Sequence, residues 1–440
     1  MKRRIISFLA AGLISFSGLS QEVDKVKLDA YFDALANNNR FMGSVAVSLN
    51  NELIYTKSVG FADIEQGVKA NENSKYRIGS ISKTFTTVLI FRAIEDNKLI
   101  LNQTIDIFFP AIGNASKITI EHLLYHRSGI QSFTDDASYL SWNTQPKTEQ
   151  EMIEIISKAG SDFEPDTNIK YSNAGFVLLT YILEKIYQKP YYEILEEKII
   201  KPLGLKNTYY GKKINTKDNE CNSYKYEEGW KIEPETDMSI PLGAGGIVST
   251  PVDLTIFGEA LFKGKLVSIN SLNLMKTIKD GIGMGLFQMP FYDKTGFGHG
   301  GGIDGFRSMF AYLPDSNISF VYTSNGLNYN GNDISIAVLS AVFDKPFDIP
   351  DFKTYHITDE ELDKYLGVYS SEQLPLKMTV TKDNGKLFVQ GTGQPALPLE
   401  AIGKDKFEFV QAGAVIEFNP TDKTMVLKQG GGVFNFARED

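Results

Sequence analysis

The run Tyr76-Arg77-Ile78-Gly79-Ser80-Ile81-Ser82-Lys83-Thr84-Phe85 decides how the rest of this chain is read. Apolar Ile81, Phe85, Val88 and Leu89 recur at helical spacing, so the pattern predicts a helix that starts close to Ser80 and ends near Asn97. Ser80 and Lys83, three residues apart, then project from one face of its first turn. An amine placed there can take or relay the proton of the hydroxyl, and the positive end of the helix favours negative charge developing beside it. The plainer reading of the same residues is a serine cap followed by an exposed lysine. For Lys83 to act as a base it must lose its proton near neutral pH, a drop of roughly three units from about 10.4 at ~1.4 kcal/mol per unit. A dry site with a neighbouring cation is the expected means.

Two further segments carry chemistry-bearing residues. Tyr171-Ser172-Asn173 offers a phenol which, beside ammonium groups, would be drawn toward phenolate and could hand a proton to a leaving group. Gly298-His299-Gly300-Gly301-Gly302-Ile303-Asp304-Gly305-Phe306 precedes a strand; glycines there let backbone approach a substrate closely and aim N–H groups at a forming oxyanion. Taken alone, this third segment reads rather as a glycine-rich turn with a partly exposed histidine.

Around these segments the chain runs to 440 residues, 42% hydrophobic and 22% charged, which suits more than one globular domain. Its 45 basic and 54 acidic side chains give a net charge of -9, so no overall basic field draws it to nucleic acid. A lone cysteine, Cys221, excludes an internal disulfide and a cysteine metal cluster. Lys2, Arg3 and Arg4 precede an apolar run from Ile5 to Phe16 and small residues at Gly18 and Ser20, the order of a secretory signal peptide over residues 1–20. The run is shorter than the ~18 apolar residues of a spanning helix, so an exported protein, periplasmic or secreted and without a membrane span after cleavage, is expected.

Gly43 to Leu49 and Glu52 to Val59 flank Asn50-Asn51 as one hairpin, and Phe306 to Leu313 and Ile318 to Thr323 flank Pro314-Asp315-Ser316-Asn317 as another. If both join one sheet, the mostly helical stretch between them, with helices over Glu151 to Lys158, Ala174 to Tyr187 and Tyr191 to Ile199, is a large insertion beside it. Proline-rich residues 346–356 read as a linker between a domain at 21–345 and one at 357–440. The latter carries about eight short alternating strands, a small antiparallel barrel or sandwich expected to be filled by its own side chains.

Taken together, the S-x-x-K, Y-x-N and H-G-G elements resemble, in residues and in order, the serine β-lactamase-like superfamily: class C β-lactamases, D-alanyl-D-alanine carboxypeptidases and related penicillin-binding esterases and peptidases. Leu123 to Ile130, Pro202 to Thr208 and Gly243 to Pro251 resemble it too. The resemblance covers roughly Asp24 to Phe343, and the C-terminal domain resembles the lipocalin-like module appended to such hydrolases. It implies an α+β fold, an antiparallel sheet flanked by helices plus a helical lobe, with the site between them. It also implies Ser80 as nucleophile, Lys83 as its proton partner and Tyr171 as general base or acid. The N–H groups of Ser80 and Gly302 would form the oxyanion hole, with Asn173, His299, Gly300 and Gly301 meeting substrate. Class C β-lactamases usually carry Lys-Thr-Gly where this chain has His299-Gly300-Gly301, which removes a fixed cation and a hydroxyl that bind a β-lactam carboxylate. Peptide, amide and ester substrates are therefore expected ahead of antibiotics.

The expected protein is a serine hydrolase with no metal or cofactor, acting on a small-molecule or peptide substrate through an acyl-enzyme on Ser80. The alternative is an inactive penicillin-binding-like protein that recognises cell-wall peptides or another ligand. His122 and His126, four apart on an expected helix, could ligate a metal, but the Leu-Leu-Tyr between them lacks the glutamate of a metalloprotease motif. No serine sits in the Gly-x-Ser-x-Gly context of an α/β-hydrolase.

Overall fold

The computed structural model describes residues 23–352, 355–429 and 432–439. The signal peptide expected at residues 1–20 lies outside the described residues. Among those described, no helix is long and apolar enough to cross a membrane.

Asn50 and Asn51 both adopt positive φ, +54° and +68°, the twist a tight hairpin demands, and they join β1 (Phe41–Leu49) to β2 (Glu52–Val59). More than two hundred residues later come β3 (Phe287–Phe291), β4 (Lys294–Ile303), β5 (Phe306–Leu313) and β6 (Ile318–Leu327). All six form one antiparallel sheet in the order β3-β4-β5-β6-β1-β2, so the two distant hairpins do share a sheet. Side chains alternate across it: Phe320 and Tyr322 of β6 enter one core while Val321 enters the other.

On one face α1 (Lys25–Asn37) and the helix Gly331–Val342 bury Leu28, Phe32, Ile334 and Val338 against Val45 and Val47. On the other lies the helical lobe. There α2 (Ser82–Glu95) stacks Phe85 on Phe257 of the helix Pro251–Phe262, ring centroids 3.6 Å apart. The helices expected in the insertion are present as Glu149–Ala159 and Asn173–Tyr187, the last called α3 below, while the stretch after Pro190 is helical over Tyr191–Leu195 and widens to a π-turn at Glu196–Ile200.

Eight strands between Gly367 and Arg438 close into an antiparallel barrel, the first pairing with the last through Tyr369 and Arg438. Its interior is filled, as expected for so small a barrel: Phe418 meets Tyr365, Tyr369 and Phe407 at 4.8, 5.8 and 5.7 Å between ring centroids. The first of these strands begins at Gly367, just after a 3-10 turn over Asp363–Tyr365. The barrel meets the sheet domain through Arg40, whose guanidinium donates to both oxygens of Glu400 and lies 5.0 Å from the Phe352 ring, and through Gln411, which donates to Asn328.

Candidate active site

The expected helix begins two residues late. Gly79–Ile81 forms a 3-10 turn and the α-helix starts at Ser82. The reason is Gly79, at φ +49°: a Cβ there would stand 2.6 Å from the Gly302 amide nitrogen, so only glycine lets this turn press against β4. Strand β3 pairs with β4 no further than Phe287 opposite Gly298. Residues 299–303 therefore present an unpaired backbone edge on that side, and the Ser80 turn lies along it. Amides at the head of such a turn are not consumed by its own bonds, so Ser80 and Gly302 offer two N–H groups to a carbonyl oxygen arriving beside the Ser80 hydroxyl.

Lys83 lies one turn into the lobe and is completely buried. Its Nζ donates to Ser80 Oγ at 3.0 Å, Asn173 Oδ1 at 2.7 Å and the Ala244 carbonyl at 2.7 Å. Burial pushes its pKa well below the lysine range, and no neighbouring cation contributes among the described residues, contrary to the expectation that one is needed. The driving cause is desolvation of the ammonium.

Ser172 caps α3 in an extended conformation, φ -135° and ψ 121°, which turns Tyr171 and Asn173 to the same side, toward Lys83. Asn173 is fixed at both ends of its amide, donating to Thr134 Oγ1 at 3.0 Å while accepting from Lys83. The Tyr171 ring lies 4.9 Å below Lys83 Nζ. Here the electrostatic expectation is overturned: burial drives the phenol above its ordinary range, with only the Ser80 hydroxyl pulling the other way. With Lys83 itself held toward the neutral form, no strong positive field remains to favour phenolate. Burial thus holds Tyr171 toward its protonated form.

Ser80, Asn173, Ala244 and Gly302 line one cleft of about 450 Å³, walled by Phe133, Tyr139 and Leu140 on the apolar side and by Glu233 and Asp304 on the polar side. Asp304 is neutralised by Arg77 at 3.2 Å and bonded by Thr236, whereas Glu233 has no ion pair among the described residues. Leu140 is 79% exposed, an apolar side chain held open at the mouth. His299 is buried behind this cleft rather than on its surface; Nδ1 donates to the Gly300 carbonyl, and burial lowers its pKa to about 3. Gly300 and Gly301 line an adjoining cleft of about 630 Å³ that shares Glu233 and Asp304 with the first.

No group of three or more His, Cys, Asp or Glu side chains fit to hold a metal occurs among the described residues. The two histidines weighed as ligands do not share a helix face. His122 belongs to the short helix Ile120–Leu124 and its Nδ1 accepts from the Thr119 N–H, completing a cap; His126 lies past the helix end at φ +57°. Sequence reasoning passed over Thr134, Glu233 and the role of His126. Only the Gly243-Ala244-Gly245 run, which supplies the Lys83 acceptor, carried a visible signal.

Against known proteins, the family model described as Beta-lactamase matches residues 28–343. Penicillin-binding protein 4* of Bacillus subtilis is 26% identical across 92% of this chain and 96% of its own length. Teichoic acid D-alanine hydrolase of Staphylococcus aureus is 27% identical across 52% of this chain and 55% of its own length. Among solved structures, D-amino acid amidase from Ochrobactrum anthropi superposes with a TM-score of 0.65 and 26% identity, covering 72% of this chain and 99% of the amidase. The octameric penicillin-binding protein homologue from Pyrococcus abyssi, at 23% identity and a TM-score of 0.67, shares the fold over 94% of this chain and 99% of its own. A buried lysine on a serine at the head of a helix, inside a sheet and lobe of this topology, accords with the match: the chain belongs to the β-lactamase family and is a serine hydrolase of that type.

Proposed function

We propose that the protein hydrolyses amide or ester bonds of aminoacyl compounds through an acyl-enzyme on Ser80, with D-amino acid derivatives bearing a free α-amine as its acyl donors, and that it does so after export. The observation that carries the reading is the 3.0 Å contact between Ser80 Oγ and a fully buried Lys83 amine. The neutral amine accepts the hydroxyl proton as Oγ attacks the carbonyl carbon, and the Ser80 and Gly302 N–H groups receive the negative charge on the carbonyl oxygen. As the tetrahedral intermediate collapses, Tyr171 donates a proton to the departing amine or alcohol and recovers one from the Lys83 ammonium. Water then attacks the ester carbon, its proton passes through the Lys83 amine to the departing Ser80 oxygen, and a free acid and a regenerated Ser80 are left.

The preference for a free amine is supported by Glu233, a carboxylate that lines the cleft and has no ion pair among the described residues. The apolar Phe133, Tyr139 and Leu140 favour a hydrophobic side chain on the donor. The D-configuration and the aminoacyl class draw support from the related amidase and D-alanine hydrolase, and export from the basic, then apolar, N-terminus. The test is turnover of paired D- and L-amino acid amides by the wild type and by Ser80→Ala. D-amide hydrolysis that falls at least ~10³-fold in the variant is expected; equal rates in the two proteins contradict the reading.

A further inference from the structure

His126 is doubly constrained. It occupies left-handed backbone, φ +57°, a region that costs a non-glycine residue about 1 kcal/mol or more, and it is 2% exposed. Its own carbonyl accepts from the Lys170 N–H at 3.1 Å, and its side-chain Nδ1 accepts from the Ser172 N–H at 3.1 Å. These two bonds grip the chain on either side of Tyr171. Between them the imidazole stacks on the Tyr171 ring, centroids 4.3 Å apart and planes 28° from parallel, with Phe176 of α3 at 5.3 Å on the same imidazole. Nothing in the fold of this loop requires a ring at 126, since an asparagine would tolerate the backbone better.

We infer that His126 is the positioning residue of Tyr171, fixing the phenol over Lys83 and Ser80 by bracketing residues 170 and 172 and stacking on the ring. This rests on the Ser80 acyl-enzyme reading above. Only an imidazole that keeps Nδ1 free can accept from Ser172, and burial keeps this one from gaining a proton. The left-handed backbone turns the carbonyl and the ring toward the same segment, so the strained conformation is what allows one residue to make both bonds. His126 never meets substrate; it acts through the phenol.

Two substitutions separate the parts. His126→Phe keeps a ring and removes the acceptor; His126→Asn keeps an acceptor at the place of Nδ1 and suits left-handed backbone, but removes the ring. The readout is kcat on an amide, whose leaving amine must be protonated, against kcat on an activated aryl ester, whose leaving group departs without a proton. In His126→Phe the amide rate is expected to fall about 10²-fold with KM little changed and ester turnover within a few-fold of wild type, the same pattern as Tyr171→Phe. In the His126→Phe/Tyr171→Phe double variant the amide rate should be no lower than in Tyr171→Phe alone.

Additive losses in that double variant, or equal losses on amide and ester, overturn the inference while leaving the Ser80 reading intact. If His126→Phe does not fold, His126→Asn decides in its place: an amide rate depressed in the wild-type background but not in the Tyr171→Phe background supports the inference, and any other outcome overturns it. Turnover that survives Ser80→Ala instead removes the underlying reading, and this one with it.

Discussion

Lys83 Nζ stands 3.0 Å from Ser80 Oγ, and the whole lysine side chain is closed off from solvent. Proximity and burial act together here. The contact supplies a path for the proton, and desolvation supplies the neutral amine that can accept it.

The pH dependence follows from the sign of that shift. The base is the deprotonated amine, whose share at any pH rises as its pKa falls, so kcat/KM should climb with pH through an acid limb lying well below lysine's usual ~10.4. Tyr171 is shifted upward and adds no alkaline fall in the ordinary range. A profile from about pH 5 to 10 checks this, and a limb at the ordinary lysine value would count against it. Lys83→Arg, whose guanidinium stays protonated, should lose at least ~10²-fold.

Gly79→Ala tests the oxyanion geometry. The added methyl meets the Gly302 nitrogen at 2.6 Å, and the +49° backbone resists a side chain. The turn must back away from β4 and the two N–H groups separate. A fall in kcat of about 10²-fold, with a stability loss of ~1–2 kcal/mol by denaturant titration, is expected.

His126 and His299 are both buried and held neutral, His299 with a pKa of about 3 and His126 well below the usual range. The unfolded chain binds protons from about pH 6.5 downward that the native imidazoles refuse, so the stability they permit is complete above that pH and is lost as pH falls toward their native values. Each contributes a slope of up to ~1.4 kcal/mol per pH unit. Denaturant titrations at about pH 6.5 and 5 should show this loss, and replacing both with Asn should flatten it.

Glu233→Gln separates amine recognition from chemistry. Loss of the cleft carboxylate that has no ion pair among the described residues should raise KM for free-amine donors at least about 10-fold, the low end of the ~1.5–3 kcal/mol of a charged hydrogen bond, and leave N-acetylated donors unchanged. Equal effects on both donor types would show that Glu233 shapes the cleft and does not bind the amine.

Much of this was legible in the sequence because it rests on local patterns. Asn50-Asn51 declares its hairpin through the residue type that accepts positive φ, and eight alternating strands declare a barrel once they follow in series. Ser80, Lys83 and Asn173 could be paired because two short motifs each place side chains on one face of one element. What stayed hidden depends on contacts between distant segments. Nothing local to Thr134 says it will meet Asn173, and nothing in Leu-Leu-Tyr-His says the chain will break out of its helix so that His126 reaches residues 170 and 172. The sign of the Tyr171 shift was misjudged for the same reason: charge can be counted along a sequence, whereas burial arises only when the lobe closes on the sheet.

The central claim is tested most directly by trapping the covalent intermediate. The purified protein would be exposed to a panel of slow acyl donors, penicillins and D-aminoacyl esters included, its intact mass recorded, and the modified peptide mapped by fragmentation. One acyl group on the hydroxyl of Ser80, absent from Ser80→Ala, is the expected result. An adduct on any other residue, or catalytic turnover with no adduct on Ser80 at any time, would contradict it.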